Sequence, residues 1–219
     1  MARIRVWDLP LRIFHWALVA CVIGSFVTEN LGGNAMAWHG RCGLAILGLL
    51  TFRLVWGFVG PTTARFASFL RGPRAIRDYL QGRWQGIGHN PLGALSVVAL
   101  LATLLIMALT GLFANDDILF DGPLYGLVDK ELSDQLTSIH KWFETVILAL
   151  VGLHLAAIVF YGWVKKQPLV RTMITGWKEG EAGETGEVIA PSTGGGPLAF
   201  LFAVAVAVAV VVAAKGVWL

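Results

Sequence analysis

The chain has 219 residues, of which 56% are apolar and 14% charged, with a formal net charge of +3. Its mean hydropathy is +0.69, and a charged share so far below the usual quarter excludes an ordinary soluble domain. The positive excess gives no reason to expect nucleic-acid binding, because the basic residues cluster in the loops of one predicted side; the two cysteines, Cys21 and Cys42, form no CxxC or CxxCH, which excludes covalent haem attachment and a cysteine zinc site.

Five apolar segments follow in chain order, each near the length of about 20 residues that crosses a bilayer as a helix. The first runs from about Leu11 to Thr28, after Arg3, Arg5 and Arg12. Those arginines suit a signal peptide, but the span holds His15 and Trp16 and ends without a small-x-small cleavage pattern, so a retained helix is expected. The second covers about Trp38 to Val59 and stops at Gly60-Pro61. The third starts after Asn90-Pro91, which suits a capped first turn, and reaches about Ala114. The fourth runs from about Ser138 to Trp163, and the fifth from Pro197 to about Ala214. The Val/Ala alternation of Ala203 to Val211 imitates a strand, but an open strand in lipid leaves its backbone unsatisfied, so helix is expected there too. This divides the chain into a core over 1–166, a mobile cytoplasmic linker over 167–197 rich in Gly, Glu and Thr, and a C-terminal helix over 198–219.

The loops set an orientation. Arg65, Arg71, Arg74, Arg77 and Arg83 stand against Asp78 alone, and Lys165, Lys166, Arg171 and Lys178 follow the fourth segment. The loop between segments three and four carries Asp116, Asp117, Asp121, Asp129, Glu131 and Asp134 against Lys130. The positive-inside rule puts the N-terminus in the cytoplasm of a bacterial inner membrane, and the acidic loop and Leu219 outside.

Histidines carry the chemistry. His15, His39, His140 and His154 all fall in apolar segments, where an ionisable side chain is costly and marks a functional site by default. His140 and His154 are fourteen residues apart, about 21 Å along one helix and about 40° short of four whole turns. They share a face and lie near opposite sides of the membrane. Depth pairs His15 with His154 on the cytoplasmic side and His39 with His140 on the outer side. Each pair can clamp one iron from both faces of a porphyrin; taken singly, each histidine also fits an interfacial or hydrogen-bonded role. Two-histidine ligation leaves no open position on iron and points to electron transfer.

Longer motifs carry a resemblance. Arg5-Val6-Trp7-Asp8-Leu9-Pro10-Leu11-Arg12-Ile13-Phe14-His15-Trp16 resembles the start of bacterial cytochrome b561 and of the cytochrome b subunit of nickel-iron hydrogenases. His39-Gly40, Gly88-His89-Asn90-Pro91-Leu92-Gly93 and the pair His140 and His154 are similar to the same superfamily, over about residues 3 to 165. The resemblance implies a four-helix core with two haem b groups that exchanges electrons with membrane quinone, and its ligands carry over onto His15, His39, His140 and His154. The fifth segment and its linker depart from the minimal four-helix core.

Other residues have two readings each. His89 belongs either to the loop before the third helix or to a propionate or quinone contact. Arg53, fourteen residues beyond His39, either meets a propionate of the inner haem or snorkels to the surface. Arg41 and Lys141 flank the outer ligands and either meet the outer propionates or sit at the interface. Glu144 either orients a ligand or makes a polar contact. Gly43, Gly48, Gly111 and Gly152 admit a close neighbour, either a haem plane or another helix.

The expectation is an all-α integral membrane four-helix bundle holding two haems, with one additional C-terminal transmembrane helix. It moves electrons between the quinone pool and a periplasmic partner, a c-type cytochrome or a larger redox subunit. Lipid and quinone or quinol are its other partners. The alternative is a stand-alone quinone-linked oxidoreductase on which superoxide or another small species reacts at the outer haem. A haem-free transporter or assembly subunit is a third class.

Overall fold

A computed structural model describes residues 2–84, 90–180 and 193–216. In chain order its elements are β1 (Ala2–Arg5), α1 (Leu9–Leu31), α2 (Met36–Val59), α3 (Phe66–Phe69), α4 (Pro73–Leu80), α5 (Pro91–Gly111), α6 (Lys130–Trp163), α7 (Leu169–Thr175), β2 (Trp177–Gly180) and α8 (Pro197–Ala214). By length and composition α1, α2, α5, α6 and α8 can each cross a membrane. The expected five segments are therefore present as helices.

Capping residues explain where the helices start. Asp8 accepts the Leu11 N–H at 2.7 Å and caps α1. Its other oxygen accepts the Trp56 indole N–H at 3.0 Å, which ties the start of α1 to the end of α2. Asn90 caps α5 through the Gly93 N–H at 2.7 Å, with Pro91 in the first turn, and donates to the Tyr161 hydroxyl at 2.9 Å near the end of α6. Each such cap contributes about 1 kcal/mol.

Three features differ from the sequence expectation. The fold is not purely helical: β1 and β2 form an antiparallel pair, with Arg5 opposite Trp177 and Ala2 opposite Gly180. The stretch expected to be a mobile linker carries α7 and β2 over 169–180; its remainder over 181–192 lies outside the described residues. The fourth helix begins at Lys130 and has 34 residues. At about 1.5 Å per residue it is about 51 Å long, more than a hydrocarbon core of about 30 Å. Asp129 causes the early start, because its side chain accepts the Leu132 N–H at 2.8 Å, so the polar residues before Ser138 form helix rather than loop.

Helix α2 is the centre of the bundle. It packs closely on α1, α5 and α8, and α5 packs on α6. Neither α1 nor α2 packs extensively on α6. The buried residues of α6 are Ser133 and Ile147. Ser133 belongs to a polar knot: its hydroxyl donates to the Phe113 carbonyl at 2.6 Å and accepts from Asn115 at 2.7 Å. Ile147 packs with Ile46, Leu50 and Leu104 in an apolar cluster at mid-height.

Helix α8 lies along α2. Ala203, Ala207 and Ala214 are buried, and they recur at four- and seven-residue intervals on one small-sided face, as close helix packing in lipid favours. At Gly48 a Cβ would stand 2.9 Å from a Val211 methyl, so that glycine admits a neighbouring helix. Phe200 packs edge-on to Phe52 and Trp56, with ring centres 5.9 and 6.0 Å apart. Gly48→Leu is expected to push α8 off α2 and lower the midpoint of thermal unfolding in detergent; an unchanged midpoint would contradict this packing.

Candidate functional site

The inward face of α6 repeats every seven residues: Ser133, His140, Ile147, His154. Seven residues are nearly two turns and about 10.5 Å. Anchors and histidines therefore alternate on one face. Ser133 and Ile147 touch the rest of the bundle, and His140 and His154 stand between and beyond them.

The outer pair is closely defined. His39 of α2 and His140 of α6 face each other with ring centres 6.1 Å apart and planes at 72°. His39 Nδ1 lies 3.0 Å from the Ser25 carbonyl oxygen, and His140 Nδ1 lies 2.8 Å from the Met107 carbonyl oxygen. A carbonyl oxygen only accepts, so each Nδ1 carries the proton and each Nε2 the lone pair. This is how metal-binding imidazoles are oriented: the second nitrogen is held by a backbone or carboxylate acceptor. Phe120 lies edge-on to His39 at 6.4 Å.

A cleft surrounds these rings. Part of it is open to the exterior. Val22, Phe26, Leu104 and Ile147 line its apolar depth, and Glu29, Asp116 and Lys141 its polar part. Gly43, one turn beyond His39, also lines it, and nothing stands within 4 Å of where its Cβ would be. At Gly111 a Cβ would stand 3.1 Å from His140 Cε1, so this glycine makes room for the His140 ring itself.

The inner pair is His15 of α1 and His154 of α6, both half-buried and close enough to interact electrostatically. His15 Nδ1 is buried without a hydrogen-bond partner among the described residues. The Trp16 ring stands edge-on to His15 at 5.0 Å. Gly152 has open space where a Cβ would stand.

Both pairs thus bridge from α6 to a helix that does not pack extensively on it. The family model described as prokaryotic cytochrome b561 matches residues 6–176. The chain belongs to the prokaryotic cytochrome b561 family. It is 26% identical to a probable Ni/Fe-hydrogenase B-type cytochrome subunit of Azotobacter chroococcum mcd 1, over 79% of this chain and 87% of that protein. It is similar to proteins of the same description from Azotobacter vinelandii, at 26% identity with 79% and 87% covered, and from Rhizobium leguminosarum bv. viciae, at 27% with 78% and 87% covered. No solved structure matches the chain.

As a cytochrome b561 the chain is a multi-pass membrane protein of electron transport that carries haem b. The residues present fit that group. Two metal–imidazole bonds of about 2 Å and the two half-rings together span about 6 Å, which is the His39–His140 separation.

The remaining candidates divide. Arg53 is buried, with its guanidinium 4.5 Å from the Phe66 ring centre and 5.9 Å from that of Phe69. It therefore does not snorkel to the surface. Asp8 is its electrostatic neighbour, and its Nη1 is buried without a hydrogen-bond partner among the described residues. Lys141 lines the outer cleft. Arg41 lies over the Trp38 ring at 4.5 Å and is not among the lining residues. Glu144 is half-buried one turn past His140, near enough to influence it electrostatically. His89 lies outside the described residues.

Sequence reasoning missed three contributors. The Ser25 and Met107 carbonyls are backbone groups and leave no side-chain signal. Glu29 did leave one, because it follows His15 by the same fourteen residues that separate His140 and His154, which places it on the face of α1 turned to the outer cleft.

The loop after α5 positions Phe120. Asp116 accepts the N–H groups of Phe120, Ile118 and Leu119 at 2.8, 2.9 and 2.9 Å. The Phe120 amide bond, followed by the others, holds this carboxyl below the usual aspartate range. A depressed folded pKa contributes stability above the ordinary value and loses it as pH falls through the folded value. Slow hydrogen exchange at the 118–120 amides is therefore expected to hold from pH 8 to 5 and to be lost only below about pH 4; Asp116→Asn should speed that exchange at neutral pH. A second expectation concerns Gly43. Gly43→Leu should fill the open space beside His39 and lower the haem content of the purified protein, whereas full haem content would place the cofactor elsewhere.

Proposed function

We propose that the chain carries two haem b groups in series, one held by His39 and His140 and the other by His15 and His154. The observation that carries this reading is the outer pair: two imidazoles face each other across a cleft, each with Nδ1 tied to a carbonyl and Nε2 free. A bound haem b would supply a one-electron carrier at each histidine pair. The protein's part is to hold, separate and tune. The carbonyl bonds to His39 and His140 make those imidazoles more basic donors. The cluster of Ile46, Leu50, Leu104 and Ile147 separates the two levels with a dry apolar layer. Arg53, with one buried arm that has no partner among the described residues, is assigned to an inner propionate, and Lys141 to an outer one. Arg41, held over Trp38, is assigned to the interface.

The physiological reading is electron transfer between the quinone pool and a periplasmic redox partner. The hydrogenase subunits among the relatives support a redox enzyme as that partner. The end of the bundle formed by Gly33–Ala35 and residues 112–129 is assigned to the periplasm, where its acidic groups favour a basic docking face. The opposite end, with β1, β2 and the basic loops, is assigned to the cytoplasm by the excess of Arg and Lys.

Pyridine haemochrome analysis of the purified chain should give two haems per polypeptide. His15→Ala and His154→Ala should remove one and the same haem, and His39→Ala and His140→Ala the other. A single haem per chain, or identical spectral losses from His15→Ala and His140→Ala, would overturn the reading.

A further inference from the structure

On the side of the bundle where α1 begins and α6 ends, the two helices are joined by a direct tie. The chain leaves α6, forms α7 and turns back at Gly176, whose φ is +84°. The Gly176 carbonyl accepts two amide hydrogens, from Val6 at 2.9 Å and Trp7 at 3.2 Å. The Thr175 carbonyl accepts from Arg12 Nη1 at 2.7 Å. Beyond the turn, β2 pairs with β1. Val6 and Trp7 are buried in the core cluster around Trp56, so the N-terminal half of this tie is fixed to the bundle.

Two observations give the tie a consequence for the inner site. First, α1 and α6 do not pack extensively on each other, yet they carry His15 and His154. Arg12 lies one turn before His15 on α1. Second, the inner site lacks the hydrogen bonding that orients the outer one: His15 Nδ1 has no partner among the described residues, while both outer imidazoles are held by carbonyls. The position of the inner rings is therefore set by the position of their helices.

We infer that this clasp sets the spacing of His15 and His154, with Arg12 and Gly176 as positioning residues for the inner haem. The inference rests on the ligand assignment proposed above. Gly176 is restricted twice over. Its φ lies in the left-handed region that side chains avoid, and a Cβ would stand 2.6 Å from Arg12 Nη1 and 2.7 Å from the Trp7 carbonyl oxygen. An alanine there displaces Arg12 or opens the turn. The strands lie just outside the family match over 6–176.

The test uses the full-length, haem-loaded protein in detergent. The variants are Arg12→Gln, Arg12→Lys and Gly176→Ala. The measurements are the midpoint potential of each haem by optical redox titration and the low-spin signal of each by low-temperature electron paramagnetic resonance. The haem lost in His15→Ala identifies the inner signals. Arg12→Gln and Gly176→Ala are expected to shift the inner potential and inner low-spin signal, or to reduce the content from two haems to one, with both outer signals unchanged. Arg12→Lys keeps a donor for the Thr175 carbonyl and should return the inner signals toward wild type. Unchanged inner signals in Arg12→Gln and Gly176→Ala overturn the inference, as do equal shifts of both haems. If Gly176→Ala does not accumulate, Arg12→Gln against Arg12→Lys decides alone. Removal of different haems by His15→Ala and His154→Ala would instead overturn the ligand assignment, and the inference with it.

Discussion

Helix α6 buries two side chains fourteen residues apart, Ser133 and Ile147, and His140 and His154 occupy the same face at the same interval. Everything else in the site follows from that alternation. A helix packed along its whole inward face would leave no room for a planar group, and one without anchors would not hold its ligands at a fixed distance. Ser133 is anchored by hydrogen bonds to Phe113 and Asn115, which act at the polar end where water competes. Ile147 is anchored by apolar contact at mid-height, where a hydrogen bond would need its own desolvated partner. Each type of anchor stands where its physics is effective.

The partner helices repeat the same interval. On α1, His15, Val22 and Glu29 are seven apart, and on α2, His39, Ile46 and Arg53 are too. Ile46 and Ile147 belong to one cluster, with Val22 packed against it. The three helices together therefore place polar groups at two depths and an apolar layer between them. Such a layer separates the polar groups of the two depths and keeps each in its own dielectric surroundings.

The two depths are not equivalent. The outer imidazoles are oriented by backbone carbonyls, a constraint that no side-chain substitution removes. At the inner end, half-buried Asp8 accepts from the Trp56 indole, and Arg53 is buried against Phe66 and Phe69. Hydrogen bonding to ligands and nearby charge are separate means of setting a redox potential. Helix α8 packs along α2, with Ala203, Ala207 and Ala214 buried and Phe200 against Phe52 and Trp56.

Much of this architecture was legible in the sequence because it depends on composition and helical period. Five spans, four histidines, their two depths and the family resemblance all follow from residue identity and the rise per residue of a helix, which no tertiary contact alters. The early start of α6 at Asp129 was legible too, but the polar residues after it mimic a loop. The rest depended on contacts between distant segments. Gly43 and Gly48 are five residues apart on one helix with the same side chain; one opens into the cleft and the other receives Val211, and only the position of α8 separates them. The same holds for the Ser25 and Met107 carbonyls, which are peptide groups like every other until the fold brings an imidazole to them. Arg53 had two open readings until α3 closed aromatic rings over it. The helical period determined which residues face inward, and the packing of α1, α5, α6 and α8 around α2 decided what each of them meets there.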